Sequence, residues 1–245
     1  MSAAIPGSAL VPTTKFALAQ HAMKTALDDG DIAVLSGPPG CGKTFAVEHF
    51  LAGLDDGAAT YLEMPPRPAP KEVAVRLYKA LSGKTPHGEQ YVLTEDLVDW
   101  LHGTGHLLVI DEAHNLGERG LQYARYLHNR GKGTWSLVLV GSRIDTTVKS
   151  APELKSRSGA LVRFDALAGR ELMAALRDYH PLLRASDPKQ LRYVDEQWGH
   201  GVFRSWYHFT KKAVRLAERL DTHELTDKLI SATLAALGAD EWQAS

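Results

Sequence analysis

The sequence predicts an α/β fold, a parallel sheet flanked by helices and followed by a small all-helical region. Three observations predict it. Short apolar runs of strand character alternate with amphipathic helical stretches up to Leu167. One of these runs, Val34-Leu35-Ser36, passes straight into a glycine-rich loop and a helix. After Leu167 the strand signals stop and only helical periodicity remains.

In chain order, residues 1–12 are small and polar with two prolines, and are expected to form a flexible arm. Thr13 or Thr14 caps a helix running to about Asp28, with Phe16, Ala19, Met23, Ala26 and Leu27 on one side. Asp31 to Ser36 reads as the first strand. Gly37 to Thr44 then fits G-x-x-x-x-G-K-[ST] at every fixed position, as Gly37-Pro38-Pro39-Gly40-Cys41-Gly42-Lys43-Thr44. Glycines let such a loop turn its backbone N–H groups inward at phosphate oxygens, where the following helix adds the positive end of its dipole. Lys43 is placed to reach the β- and γ-phosphates of ATP and the Thr44 hydroxyl to ligate Mg²⁺.

A second strand is expected over Thr60 to Met64. A proline-rich connection and a helix bearing Val73, Val75, Leu77 and Leu81 come next. Gly83-Lys84-Thr85 mimics the end of a phosphate loop but lacks the preceding glycine and runs into Pro86, which excludes it from that role. Lys84 reads as a solvated lysine or as a contact to a DNA backbone.

His106 to Asp111 forms the third strand, apolar from Leu107 to Ile110 as a central parallel strand should be, and ends in Asp111-Glu112-Ala113-His114. At such a strand end Asp111 serves the Mg²⁺ hydration shell and Glu112 orients and deprotonates the attacking water. His114 is expected to face solvent or support its neighbours. A helix over Leu121 to Arg130 leads to the fourth strand, Trp135 to Val140, which ends in Gly141-Ser142-Arg143. Ser142 has the chemistry to sense the γ-phosphate and is equally suited to a plain turn. A short helix with Leu154, Lys155 and Arg157 precedes the fifth strand, Ala160 to Phe164. Arg157, with Arg143 and Arg163 as rivals, is the candidate for a finger acting on a neighbouring subunit's nucleotide.

Four helices follow, over Arg170–Tyr179, Pro188–Trp198, Val202–Leu220 and Glu224–Leu237. In the third, Val202, Trp206, Phe209, Ala213, Leu216 and Leu220 form one apolar stripe, which marks them as core. Arg204 lies off that stripe at the helix start, where it can reach back to the γ-phosphate. The expected division is an arm at 1–12, a nucleotide-binding subdomain at 13–167, a helical lid at 168–238 and a tail at 239–245.

The 245 residues with 44% hydrophobic content suffice for a packed core. Net charge is −1, with 17 Lys/Arg against 18 Asp/Glu before Ala168 and 11 against 11 from there on. No strongly basic face is visible along the sequence, so any DNA contact is expected to be local or built by assembly. The single cysteine, Cys41, rules out a disulfide framework and a cysteine zinc site. Without a signal peptide or a long apolar run, the expectation is a cytoplasmic protein with no membrane partner.

Taken together, the phosphate loop, Asp111-Glu112 after strand three, Ser142 after strand four, an arginine before strand five and an arginine entering the third lid helix resemble the AAA+ ATPases over roughly Thr13 to Leu237. Within that superfamily the Leu-Val-Ile-Asp-Glu-Ala-His-Asn, Leu-Val-Leu-Val-Gly-Ser and Ala-Pro-Glu-Leu-Lys-Ser-Arg segments look most like the transposition helpers MuB, TnsC and TniB. The ExeA-type secretion ATPases and the helicase loaders or replication initiators are the alternatives. The transposition resemblance implies an ATP-dependent homo-oligomer, ring or helical filament, on double-stranded DNA that selects target DNA and recruits or stimulates a transposase. By the same resemblance Ser142 is the strand-four sensor, in place of the more common asparagine, Arg157 the trans finger and Arg204 the lid sensor. No helix-turn-helix like that of MuB is found, so the core itself is expected to touch DNA, with Lys79, Lys84, Arg119 and Arg125 as candidates.

Overall fold

The computed structural model describes residues 5–150 and 158–238. The chain forms two compact units, one of Thr14–Pro39 with Lys43–Phe164, the other of Met1–Thr13, Gly40–Gly42 and Asp165–Ser245.

The first unit is built on five parallel strands: β1 (Ile32–Ser36), β2 (Ala59–Glu63), β3 (Leu107–Asp111), β4 (Ser136–Gly141) and β5 (Ser158–Arg163). Their order is β2-β3-β4-β1-β5. The three inner strands are buried along their whole length, which is why β1 and β3 read as continuous apolar runs rather than alternating ones. The helices are α1 (Thr14–Asp29), α2 (Lys43–Leu51), α3 (Pro70–Ser82), α4 (Gln90–Leu101), α5 (Gly117–Arg130) and α6 (Ile144–Ser150). Ile32, Val34, Leu108, Ile110, Leu137 and Leu139 share one core with Leu77 of α3, Leu97 of α4 and Leu121 of α5. The register sets Ser36 beside Gly141 and Glu63 beside Asp111, so the strand ends that carry chemistry finish at one edge of the sheet.

All five expected strands are present, each within two residues of its expected bounds. Helix α4 is an addition. It buries Leu93, Leu97, Val98 and Leu101 and packs beside α3 and α5, with a stripe diluted by five polar residues and preceded by a loop with two glycines. The expected helix with Leu154, Lys155 and Arg157 lies outside the described residues, as does the expected tail at 239–245.

The second unit contains α7 (Gly169–Tyr179), the one-turn α8 (Pro181–Arg184), α9 (Pro188–Val194), α10 (Phe203–Leu220) and α11 (Asp227–Leu237). The helix expected over Pro188–Trp198 relaxes after Val194 into a π turn, Asp195–Gly199. Leu172, Leu176, Leu183, Trp206, Phe209 and Leu229 pack into its core, and Trp206 and Phe209 meet edge to face at 5.6 Å. These aromatics are therefore packing residues.

The expectation of a flexible arm over residues 1–12 is corrected for the described part, residues 5–12. Ile5 is buried, the Ala9 N–H donates to the Tyr179 carbonyl at 2.8 Å, and His180 Nε2 meets the Pro6 carbonyl at 2.9 Å. His180 Nδ1 also accepts from the Leu182 N–H at 3.1 Å, which fixes Nε2 as the proton-bearing nitrogen. An apolar residue and two backbone groups thus find partners in the helical unit, reason enough for a proline-stiffened strap to stay down. The Tyr179 hydroxyl, pressed by burial and by Tyr207, has its pKa pushed up to about 12 and stays protonated.

Candidate nucleotide site

Strand β1 delivers the chain into the glycine-rich loop at Gly37, whose φ of 146° and closeness to β5 both demand glycine. A Cβ there would lie 2.0 Å from the Phe164 carbonyl oxygen, while the Phe164 N–H donates to Ser36 O at 2.7 Å. Lys43 opens α2 and is buried, its Nζ donating to the carbonyls of Gly37 at 2.7 Å and Pro38 at 2.9 Å. The ammonium is thereby held inside the loop that the sequence assigns to phosphate. Pro38 and Pro39 are exposed along the loop and Cys41 is buried in it.

The next residue, Thr44, reaches across to β3. Its Oγ1 donates to Asp111 Oδ2 at 2.8 Å, and Asp111 Oδ1 accepts the N–H of Glu112 at 2.7 Å. Asp111 is 3% exposed, so its carboxylate depends on these partners for solvation. A third partner is Tyr61 on β2, whose hydroxyl donates to the same Oδ2 at 2.8 Å. Burial first, then this bond to Asp111, raises the Tyr61 pKa and keeps it a donor. Sequence reading missed Tyr61. Its only signal is the register, which sets it two residues before Glu63, the partner of Asp111.

Glu112 takes a left-handed backbone, φ 50°, costly for a non-glycine residue and typical of functional turns. Its side chain leaves the strand direction, and Oε2 lies 3.2 Å from His114 Nδ1. The same Nδ1 lies 3.3 Å from the backbone N of Ser142. A protonated Nδ1 serves the carboxylate and an unprotonated Nδ1 serves the amide, so the two contacts compete for one atom. His114, expected to face solvent or support its neighbours, therefore joins the ends of β3 and β4. The fit is close: a Cβ on Gly141 would lie 2.9 Å from that Nδ1.

The turn carrying Ser142 is itself anchored to β1. Ser36 Oγ donates to Asp145 Oδ1 and accepts the Asp145 N–H at 3.3 Å, both residues being buried. The rivals for the finger role differ: Arg163 approaches Asp145 at 3.9 Å, and Arg143 is exposed with φ 55°. Arg157 lies outside the described residues. In the second unit the Arg204 N–H donates to the Gly40 carbonyl at 3.1 Å, and a Cβ on Gly40 would lie 2.9 Å from Arg204 Cβ. The turn before α10 is held by Asp195, whose Oδ1 accepts from the Gly201 N–H at 2.7 Å and from Trp206 Nε1 at 2.9 Å.

The structure thus brings Lys43, Thr44, Asp111, Glu112 and the Ser142 backbone to one sheet edge of the first unit. It gives the DNA candidates less unity. Lys79 and Lys84 lie at the end of α3, exposed, whereas Arg119 and Arg125 sit six residues apart on α5 and do not share a helix face. No cluster of three or more His, Cys, Asp or Glu able to hold a metal occurs among the described residues. The donor set fits a hydrated Mg²⁺ shared with phosphate, which needs one hydroxyl and one or two carboxylates rather than a protein cage. Among the described residues no helix is long and apolar enough to cross a membrane.

Residues 27–146 match the protein family described as an AAA domain. No curated protein matches the sequence. Among solved structures, the chain is similar to the Aeropyrum pernix Orc1 protein in complex with DNA, with 18% identity, a TM-score of 0.63, and coverage of 93% of this chain and 66% of that one. It is also similar to the Thermotoga maritima RuvB Holliday junction branch migration motor, with 17% identity, a TM-score of 0.58, and coverage of 91% and 68%. The chain spans about two thirds of the length of these structures.

Proposed function

We propose, from the AAA+ P-loop fold that this chain has, that it is a Mg²⁺-dependent ATPase that assembles on double-stranded DNA and regulates transposition by marking target DNA for a transposase. The observation that carries the ATPase reading is the Thr44–Asp111–Glu112 arrangement, a hydroxyl and a buried carboxylate in contact beside a second carboxylate held by His114. Lys43 and the loop N–H groups would hold the phosphates, with Thr44 and Asp111 at the Mg²⁺, whose charge neutralises that developing on the phosphates. Glu112 takes the proton of the attacking water, Ser142 and Arg204 are read as sensors, and Arg157 as the finger from a neighbouring subunit.

The DNA part is supported by likeness to the Orc1 protein solved with DNA and to the RuvB branch migration motor. The likeness to Orc1 also favours a second reading, an initiator-like or loader-like DNA ATPase. The transposase partner and the ring or filament rest on the sequence resemblance. The test is sedimentation with random-sequence duplex, comparing wild type with Glu112→Gln in ATP and in ADP. The expected result is co-sedimentation in ATP only, persistent for Glu112→Gln, with hydrolysis slowed by about 10² to 10⁴. Equal hydrolysis by both proteins would remove Glu112 from its role. Absence of DNA association in both nucleotides would remove the DNA reading.

A further inference from the structure

We infer that one face of α10 is the surface that grips the phosphate backbone of duplex DNA, an inference that rests on the DNA-associated reading above. Helix α10 carries five Lys/Arg and one Asp/Glu in 18 residues, in a chain whose net charge is −1. The face is local, as any DNA contact of a near-neutral chain was expected to be, and it is not visible along the sequence. The basic residues are spread along the sequence and converge only on the helix surface.

At 100° per residue, Arg204, His208, Lys211, Lys212, Arg215 and Arg219 fall within about 100° of the helix circumference. Trp206, Phe209, Ala213 and Ala217 fall on the opposite side and are buried in the helical core. Arg204, His208, Arg215 and Arg219 are exposed, and Lys211 and Lys212 half-exposed. None of the five Lys/Arg forms an ion pair among the described residues, although Glu218 lies on the same helix. Their one aromatic contact among the described residues is Lys211 Nζ, 5.6 Å from the Tyr207 ring centroid. Surface cations are usually interleaved with acids, so five left unpaired on one face constitute a concentrated positive field.

The shape selects among polyanions. Leaving Arg204 to the nucleotide, the face from His208 to Arg219 runs about 16 Å in a straight line at 1.5 Å per residue. That is a length over which a duplex offers a dense row of phosphates, about one charge per 1.7 Å of axis. An anionic membrane is disfavoured, because the apolar side of α10 is committed to the core and the basic face itself offers no large apolar residue to insert. Near the start of the helix the Arg204 N–H donates to the Gly40 carbonyl, within the same unit.

The experiment measures duplex binding against salt for wild type, Arg215→Gln/Arg219→Gln and Lys211→Gln/Lys212→Gln, with ATPase activity without DNA as control. The altered side chains lie outside the core and outside the nucleotide residues, so basal hydrolysis is expected to stay unchanged. Each double variant should reduce the slope of log K against log salt by about 1.8, at about 0.9 per lost phosphate contact. The affinity lost between 50 and 200 mM salt should accordingly shrink about 12-fold. Variants that bind with the wild-type slope overturn the inference and leave the DNA reading standing. A wild type that binds no duplex in any nucleotide state overturns both. Loss of binding to polyglutamate with an unchanged duplex slope overturns it in favour of an acidic protein partner.

Discussion

At the scale of single residues, the proposed hydrolysis depends on how two carboxylates are kept apart in role. Asp111 is buried and receives donors from Thr44, Tyr61 and the Glu112 backbone, whereas Glu112 is swung out by its left-handed backbone towards His114. His114→Ala is expected to lower kcat for ATP roughly tenfold, the loss of one hydrogen bond to a charged group, with KM little changed. An unaltered kcat would reduce His114 to a spacer between β3 and β4. Under the proposed Mg²⁺ role of Asp111, Tyr61→Phe removes a donor that orients the metal-binding oxygen, and supporting bonds of this kind are worth about 10- to 100-fold in metal affinity or activity. The expected readout is a rise of about tenfold in the Mg²⁺ concentration for half-maximal hydrolysis, and an unchanged Mg²⁺ titration would argue against it. That Lys43, Thr44, Asp111 and Glu112 come together was legible in the sequence, because loop and strand-end placement is local. Tyr61 and the His114 contacts were not, because they depend on the sheet register and on a backbone angle that no residue type announces.

At the scale of elements, strands were easy to read and helices uneven. β1, β3 and β4 are apolar runs closed by chemistry-bearing residues, whereas α4 hides its stripe among polar residues. The basic face of α10 was hidden for the converse reason, since a helix gathers what the sequence scatters. His106, at the entry to β3, offers a test at this scale. It is buried, meets Thr60 Oγ1 at 2.9 Å and stacks edge-on with Trp100 at 5.0 Å, and burial lowers its pKa. As pH falls below the ordinary histidine value of 6.5, the unfolded chain takes up a proton that the folded chain resists. Stability is therefore expected to fall from pH 7 to pH 5.5 and to level off above 7, with His106→Gln showing a shallower dependence. Urea midpoints across that range check it, and an identical slope in the variant would exonerate His106.

At the scale of the whole molecule, the nucleotide residues of one chain are read as incomplete without the arginine of a neighbour. Arg157→Ala is expected to leave ATP binding by the isolated chain intact and to reduce turnover of the assembled protein by about 10³ to 10⁵. Loss of binding in the isolated chain would place Arg157 in its own site. The strand order carries a different consequence, for synthesis rather than for catalysis. β1 pairs only with β4 and β5, and Ile32 meets its partner Leu137 about a hundred residues further along. At about 5 to 20 residues per second, a ribosome leaves Ile32-Ala33-Val34-Leu35-Ser36 without a neighbour for roughly 5 to 20 s after it is made. The glycine-rich loop is thus among the first segments translated, and the nascent chain carries an apolar strand without its strand partners throughout that interval.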